Sequence, residues 1–315
     1  MNEIGSAEGS ETFPLFSVLV LARWIHFASV FVLFGSAFFW FYVTDGFVRA
    51  RSATNVLLRV AALVAAASGL LWLAAIVADM AGGGIAKAVD PETLSVFFFQ
   101  TQFGAVAALR LVLLAAAVVL ALAPGAGKIW LSAHLHVGAL LLVNQAWLGH
   151  AAVGGDGLWG AFMLCVYCIH VIAAAAWVGG LPPLLFALRE TRGRSDDETR
   201  RRTLAILLRF SVMAFPAVAL IVASGLGNVG FRVGASFGQL FLTEYGFVLC
   251  VKATLFVAML ALAGYNRLVA LPRLRLGPPS AAQNLRLHAS VALELALGVC
   301  AIGAAAALGI TPPPQ

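Results

Sequence analysis

The sequence predicts an all-α membrane protein whose eight transmembrane helices form two parallel four-helix repeats. Three observations lead there: a composition too apolar for water, eight separate apolar stretches of bilayer length, and a set of uncommon residues that recurs in the same order along the chain. Of the 315 residues, 62% are hydrophobic and 11% charged, with a mean hydropathy of +0.96. Soluble domains run at about 45–50% apolar and about 25% charged, so the solvent of this chain is the lipid bilayer. The net charge of +6, from 20 Lys+Arg and 14 Asp+Glu, sits mostly in short connections between apolar runs. That distribution is a topology signal, and nucleic acid is excluded as a partner. Cys165, Cys168, Cys250 and Cys300 all lie inside apolar segments, which predicts buried thiols and no disulfide scaffold. There is no phosphate-binding glycine loop, zincin His-Glu pair or Ser/His/Asp arrangement, so the sequence predicts no enzyme of the soluble type.

A helix needs roughly 20 apolar residues to cross a bilayer. Stretches at about 14–44, 53–80, 102–123, 129–152, 157–188, 203–228, 243–266 and 285–309 qualify. Residues 1–13 are acidic (Glu3, Glu8, Glu11) and lack the basic start of a signal peptide, so the first span is expected to remain. Arg49, Arg51 and Arg59 flank the first connection, Arg189 to Arg202 crowd another, and Arg267, Arg273, Arg275 and Arg286 surround the last. Positive loops face the cytoplasm, which places both termini of this multi-pass protein outside. The hydrophilic stretch 189–202 reads as a cytoplasmic linker between a first four-helix module at 14–188 and a second at 203–315.

The repeat is carried by residues that are rare in an alanine-rich background. His26 is followed nine residues later by Gly35, and His170 by Gly179. Ala67-Ser68-Gly69-Leu70 returns as Ala223-Ser224-Gly225-Leu226. Thr101-Gln102-Phe103-Gly104 with Arg110 returns as Thr243-Glu244-Tyr245-Gly246 with Lys252, and His136 loosely as His288. The offsets are 144, 156, 142 and 152 residues. An even number of spans per half gives both halves one orientation, so the repeat axis runs along the membrane normal. His26 and His170 are then expected at equal depth, as are Arg110 and Lys252.

Charges inside a bilayer cost at least ~2.5 kcal/mol each on insertion scales, and so ask for a partner or a role. Arg23, His26, Arg110, His170 and Lys252 fall roughly 12–20 Å from the outer helix ends and form one supporting polar layer, with Glu294 as the expected counter-ion of one of the cations. Neutral imidazole is a common metal ligand, and all six histidines lie in or at the ends of spans. His150, beside the glycine-rich turn 153–157, is placed to meet an ion at the outer rim. His26 and His170 would bind it deeper. His134, His136 and His288 lie near the inner ends, either as a second site or as hydrogen-bonding residues between helices. Soft sulfur donors select metals such as Cu(I), and Met163 shares a helical face with Tyr167 and His170.

Several of these residues together resemble the CopD family of bacterial inner-membrane copper-resistance and copper-uptake proteins. They are the run from His170 to Leu181 (HVIAAAAWVGGL), Leu208-Arg209-Phe210-Ser211, Thr243-Glu244-Tyr245-Gly246 with Lys252, Asn266-Arg267, Glu294, Thr311-Pro312-Pro313 and Gly149-His150-Ala151-Ala152. The resemblance runs most clearly from about residue 145 onward, with Arg23, His26 and Arg110 fitting earlier. It implies copper ions as the cargo, moved from periplasm toward cytoplasm, and a periplasmic copper-binding partner of the CopC type. With about thirteen residues before the first span, such a partner is expected to be a separate protein. Two other readings stay open at this point. His26 and His170 at equal depth would also suit the axial ligands of a b-type haem in an electron-transferring cytochrome, and the histidines of a purely structural membrane subunit would only join helices.

Overall fold

The computed structural model describes residues 8–42, 47–148, 157–192, 196–277 and 280–314, and contains helices and turns but no strand among them. Helix α1 (Glu8–Tyr42) is followed by α2 (Val48–Met80), α3 (Pro91–Gln100), α4 (Gln102–Leu122), α5 (Lys128–Asn144), α6 (Leu158–Val178), α7 (Leu181–Glu190), α8 (Asp197–Val233), α9 (Glu244–Tyr265), α10 (Leu271–Leu276) and α11 (Ala281–Leu308). Eight helical stretches are long and apolar enough to cross a membrane, with α6–α7 and α9–α10 each acting as one stretch. The eight agree with the stretches read from the sequence. Their division does not match the expected modules, however: five of them precede residue 189 and three follow it. The hydrophilic linker therefore falls after the fifth span. Hydrophilicity marks a loop, and says nothing about where a repeat begins.

The helix ends follow local chemistry. Asp90 caps α3 by accepting from the Thr93 backbone N–H at 2.9 Å, with Pro91 in the first turn where its missing N–H costs nothing. The Thr93 hydroxyl donates to the same Asp90 oxygen at 2.6 Å, and these bonds hold the Asp90 carboxyl below its ordinary pKa. Asp196 caps α8, Thr243 caps α9, and Ser280 with Gln283 forms a capping box on α11. Gly179 and Gly180 end α6, and Pro182 and Pro183 restart the chain as α7. At the start of α2, the Ala50 N–H is satisfied from a distance by the Glu190 carboxylate at 2.8 Å.

Helix α1 is the central element, packing on α2, α5, α6 and α11. Lipid offers no hydrophobic drive for this, so close approach depends on small residues. The α1–α6 crossing is the tightest. A Cβ on Gly35 would sit 2.1 Å from the carbonyl oxygen of Ala175, and one on Gly179 would sit 1.9 Å from that of Phe31. The contact is reciprocal: Phe31 and Ala175 are 144 residues apart, and so are Gly35 and Gly179. Ser36 adds a hydrogen bond to the Gly179 carbonyl at 2.8 Å.

The two halves close differently. In the first, α1 packs on α2 and α5, α2 on α4, and α4 on α5, which makes a closed ring. In the second, α6 packs on α8 and α9 on α11, and the pairs are joined by α7 on α11, by α10 on α8 and by Trp177, whose ring lies 6.0 Å from that of Phe256. The cysteines correct another expectation: Cys165, Cys250 and Cys300 are exposed and Cys168 half-exposed. An apolar thiol is at home against lipid, so a position inside an apolar segment does not imply a buried one.

Candidate functional site

The polar layer read from the sequence separates into a locked set in the first half and an open one in the second. His26 is 0% exposed. Its Nδ1–H donates to the Ala65 carbonyl at 2.8 Å, and its Nε2 accepts from the Arg110 guanidinium at 2.7 Å. A carbonyl only accepts and a guanidinium only donates, so the ring is neutral, its tautomer is fixed and both nitrogens are engaged. Arg110, also 0% exposed, donates on to the Asn144 side-chain oxygen at 2.9 Å and lies 4.9 Å over the Trp72 ring. Arg23 lies over Phe27 and Trp72 at 5.1 and 5.5 Å and donates to the Gly309 carbonyl at 3.3 Å, tying α1 to the end of α11. Next to Asn144, Gln145 donates to the Tyr167 hydroxyl at 3.0 Å and so reaches α6.

His170, one turn beyond Tyr167, is half-exposed. Its Nδ1 lies 3.1 Å from the Ser224 oxygen. Ser224 spends its only O–H on the carbonyls of Leu220 and Ile221 in its own helix, so it accepts from the imidazole. The Nε2 lone pair has no partner among the described residues. That is the usual preparation of a metal-ligating histidine, in which a hydrogen bond at one nitrogen orients the ring and leaves the other free. Local construction is shared with the first half: Ser68 bonds Val64 and Ala65 as Ser224 bonds Leu220 and Ile221. Gly69 and Gly225 both face the imidazole, at 2.9 and 3.4 Å from an added Cβ. Lys252, in the place of Arg110, makes no hydrogen bond or ion pair among the described residues.

Other sequence-derived candidates are scattered. Met163 is half-exposed on the His170 face, but two turns away, about 10 Å along the axis, which is too far to share one small ion with it. His150 lies outside the described residues. His134 bonds the Trp130 carbonyl at 2.9 Å and stacks on that ring at 4.0 Å, while His136 is exposed and bonds Ser132. Helix α5 does not pack on α11, so neither joins His288 in an inner site. Among the described residues there is no group of three His, Cys, Asp or Glu that could hold a metal. The expected counter-ion role of Glu294 also fails. Its oxygens accept from Trp177 at 2.8 Å and Asn266 at 3.4 Å, both neutral, because Arg110 and Arg23 are turned toward acceptors and rings in the first half. Haem does not fit either, since axial ligation by His26 would require Nε2, which Arg110 occupies.

Sequence reasoning did not name Trp72 or Asn144, and named Ser224, Trp177 and Asn266 only within motifs, with no role at the site. Ser224 was within reach, because it sits in the recurring Ala-Ser-Gly-Leu motif whose serine and glycine form the rest for each imidazole.

Residues 12–161 match the family described as Copper resistance protein D-like, N-terminal domain, and residues 204–308 match Copper resistance protein D. The inner membrane protein YebZ of Escherichia coli is 30% identical over 257 residues, covering 81% of this chain and 85% of that protein. The chain belongs to the copper resistance protein D family. Within it, Copper resistance protein D of Pseudomonas syringae is 27% identical over 310 residues, covering 93% of this chain and 96% of its own. The copper transport protein CutJ of Bacillus subtilis is 32% identical over 240 residues, covering 74% of this chain but only 41% of CutJ. No solved structure matches. This family member thus combines a membrane-helical fold with relatives named for copper resistance and transport, which gives it a copper-related membrane function.

Proposed function

We propose that this protein is a multi-pass inner-membrane copper transporter, moving copper ions from periplasm toward cytoplasm, in which His170 is the intramembrane ligand. The observation that carries the reading is the His170 ring, oriented by Ser224 through Nδ1 with Nε2 open on the half-closed side of the bundle. Permeation needs sites that bind and also release, which a single oriented imidazole satisfies better than a closed cage. His150 and Met163 would serve as successive contacts on the approach from outside, with both termini periplasmic and the arginine-rich connections inside. A separate CopC-like protein would deliver the ion. The reciprocal glycine contacts and the shared Ser-Gly rests support two parallel repeats, of which the first has become scaffold: His26, with Arg23 and Arg110, holds helices together. Copper uptake into vesicles containing the purified protein tests this. Wild type and His26→Gln should accumulate copper and His170→Ala should not; equal uptake by wild type and His170→Ala would end the reading.

A further inference from the structure

Glu294 takes no part in the copper contacts proposed above, yet it is a carboxyl group only 3% exposed near the middle of a membrane-spanning helix. Among the described residues no cation pairs with it; the ion pairs join Asp197 and Glu198 to Arg200, Arg201 and Arg202 at the start of α8. The titratable and charged groups on the surrounding elements include Tyr167, Cys168 and His170 on α6, Arg189 and Glu190 on α7, Glu244, Cys250, Lys252 and Tyr265 on α9, Arg267 just beyond it, Arg23 on α1, and Arg286, His288 and Cys300 on α11. None of them bonds to Glu294. A lone carboxylate in hydrocarbon is expensive, whereas a carboxylic acid with hydrogen-bond partners is not.

The two partners it does have are suited to both forms. Trp177 donates to Oε1 and can only donate. Asn266 places its Nδ2 3.4 Å from Oε2, a long bond, while its Oδ1 is buried with no partner at all. The two ends of an amide occupy nearly the same space, so turning this side chain over breaks no other hydrogen bond. It would exchange a donor facing a carboxylate for an acceptor facing a carboxylic acid. Asn266 also begins the π-helical turn Asn266–Ala270, where the backbone ladder is re-registered just before Pro272 in the first turn of α10.

We propose that Glu294 is a proton-carrying site of this protein, with Asn266 as the residue that turns to serve both protonation states. On uptake a proton from water adds to Oε2 and the new O–H donates to Asn266 Oδ1. On release the proton returns to water and Asn266 Nδ2 again donates to the carboxylate.

Infrared difference spectra of the reconstituted full chain, acid minus alkaline, test this without copper. The wild type should show a carboxylic-acid C=O band that is lost on alkalinisation. Glu294→Gln, which keeps the acceptor for Trp177, should lack that band, and in Asn266→Leu its midpoint should shift upward because the carboxylate loses a charge-assisted hydrogen bond, stronger than the neutral one the acid loses. A wild-type spectrum with no band that Glu294→Gln removes, or an unmoved midpoint in Asn266→Leu, would overturn the proposal. The proton site does not depend on the copper reading: equal copper uptake by wild type and His170→Ala would sink the transporter and leave the infrared result to stand.

Discussion

His26 and His170 stand at matching positions, so substituting each by alanine asks whether they still do the same work. Removing His26 strips Arg110 of the acceptor at 2.7 Å and leaves one face of a fully buried guanidinium unpaired. An orphaned buried donor costs about 1–3 kcal/mol, toward the upper end for a charged group. The lost imidazole also leaves a hole between Trp72 and Gly69, and cavities of that kind add about 1–2 kcal/mol when the surroundings cannot collapse. The total is about 3–4 kcal/mol, a large part of the stability of most domains. His170→Ala removes the imidazole's bonds to Ser224 and to the Ile221 carbonyl at a half-buried position, and Ser224 keeps its bonds to its own helix, so the loss is about 1 kcal/mol. Thermal unfolding in detergent, with copper content by elemental analysis, separates the two. His26→Ala should melt several degrees below wild type, while His170→Ala should melt close to it and carry no copper. Equal destabilisation of the two variants, or a His26→Ala protein that melts like wild type, would refute the division between locked and open histidines.

Gly179→Ala should disrupt the α1–α6 crossing by about 3 kcal/mol or more, because its methyl would meet backbone 1.9 Å away, whereas Gly264→Ala, with nothing within 4 Å, should be neutral or slightly stabilising; melting temperatures of the pair check this. Lys252→Met should bind copper roughly tenfold tighter by competition with a chelator, the order expected for removing one unit charge near a bound cation; unchanged affinity would mean the ammonium does not sense the ion. Because hydrogen bonds from Thr93 depress the Asp90 carboxyl, its contribution to α3 is present above the unfolded-state value and is lost as pH falls through the folded one. Hydrogen exchange over 91–100 should therefore quicken in acid relative to Asp90→Asn at the same pH.

The spans were legible because bilayer thickness dictates apolar length. The recurrence of His26 with Gly35 and His170 with Gly179 marked the crossing of α1 and α6, where backbone approach admits no Cβ. What stayed hidden was how side chains pair across helices. Arg110 carries no mark that its acceptors are His26 and Asn144, and charge balance pointed instead to Glu294. A guanidinium can be satisfied by neutral acceptors and an aromatic face, and a carboxyl by an indole and an amide, so formal charge was a poor guide to partners. Exposure was equally illegible: His26 and His170 share the same Ile-His pair and the glycine nine residues on, yet one lies in a closed ring and the other beside an open one.

That difference also removes an apparent obstacle to a cation route. Arg23, Arg110 and Lys252 occupy the layer a copper ion would cross, and three positive charges there would repel it. Two of them are committed elsewhere, Arg23 to the end of α11 and the rings of Phe27 and Trp72, Arg110 to His26, Asn144 and the same Trp72 ring. Both belong to the half in which the helices close. Lys252 alone remains on the open side, opposite an imidazole that keeps one nitrogen free. A repeat in which one copy spends its polar residues on holding the bundle can leave the other copy's residues unspent, and on the proposed reading an oriented ligand near an uncommitted cation would hold a copper ion weakly enough to let it go.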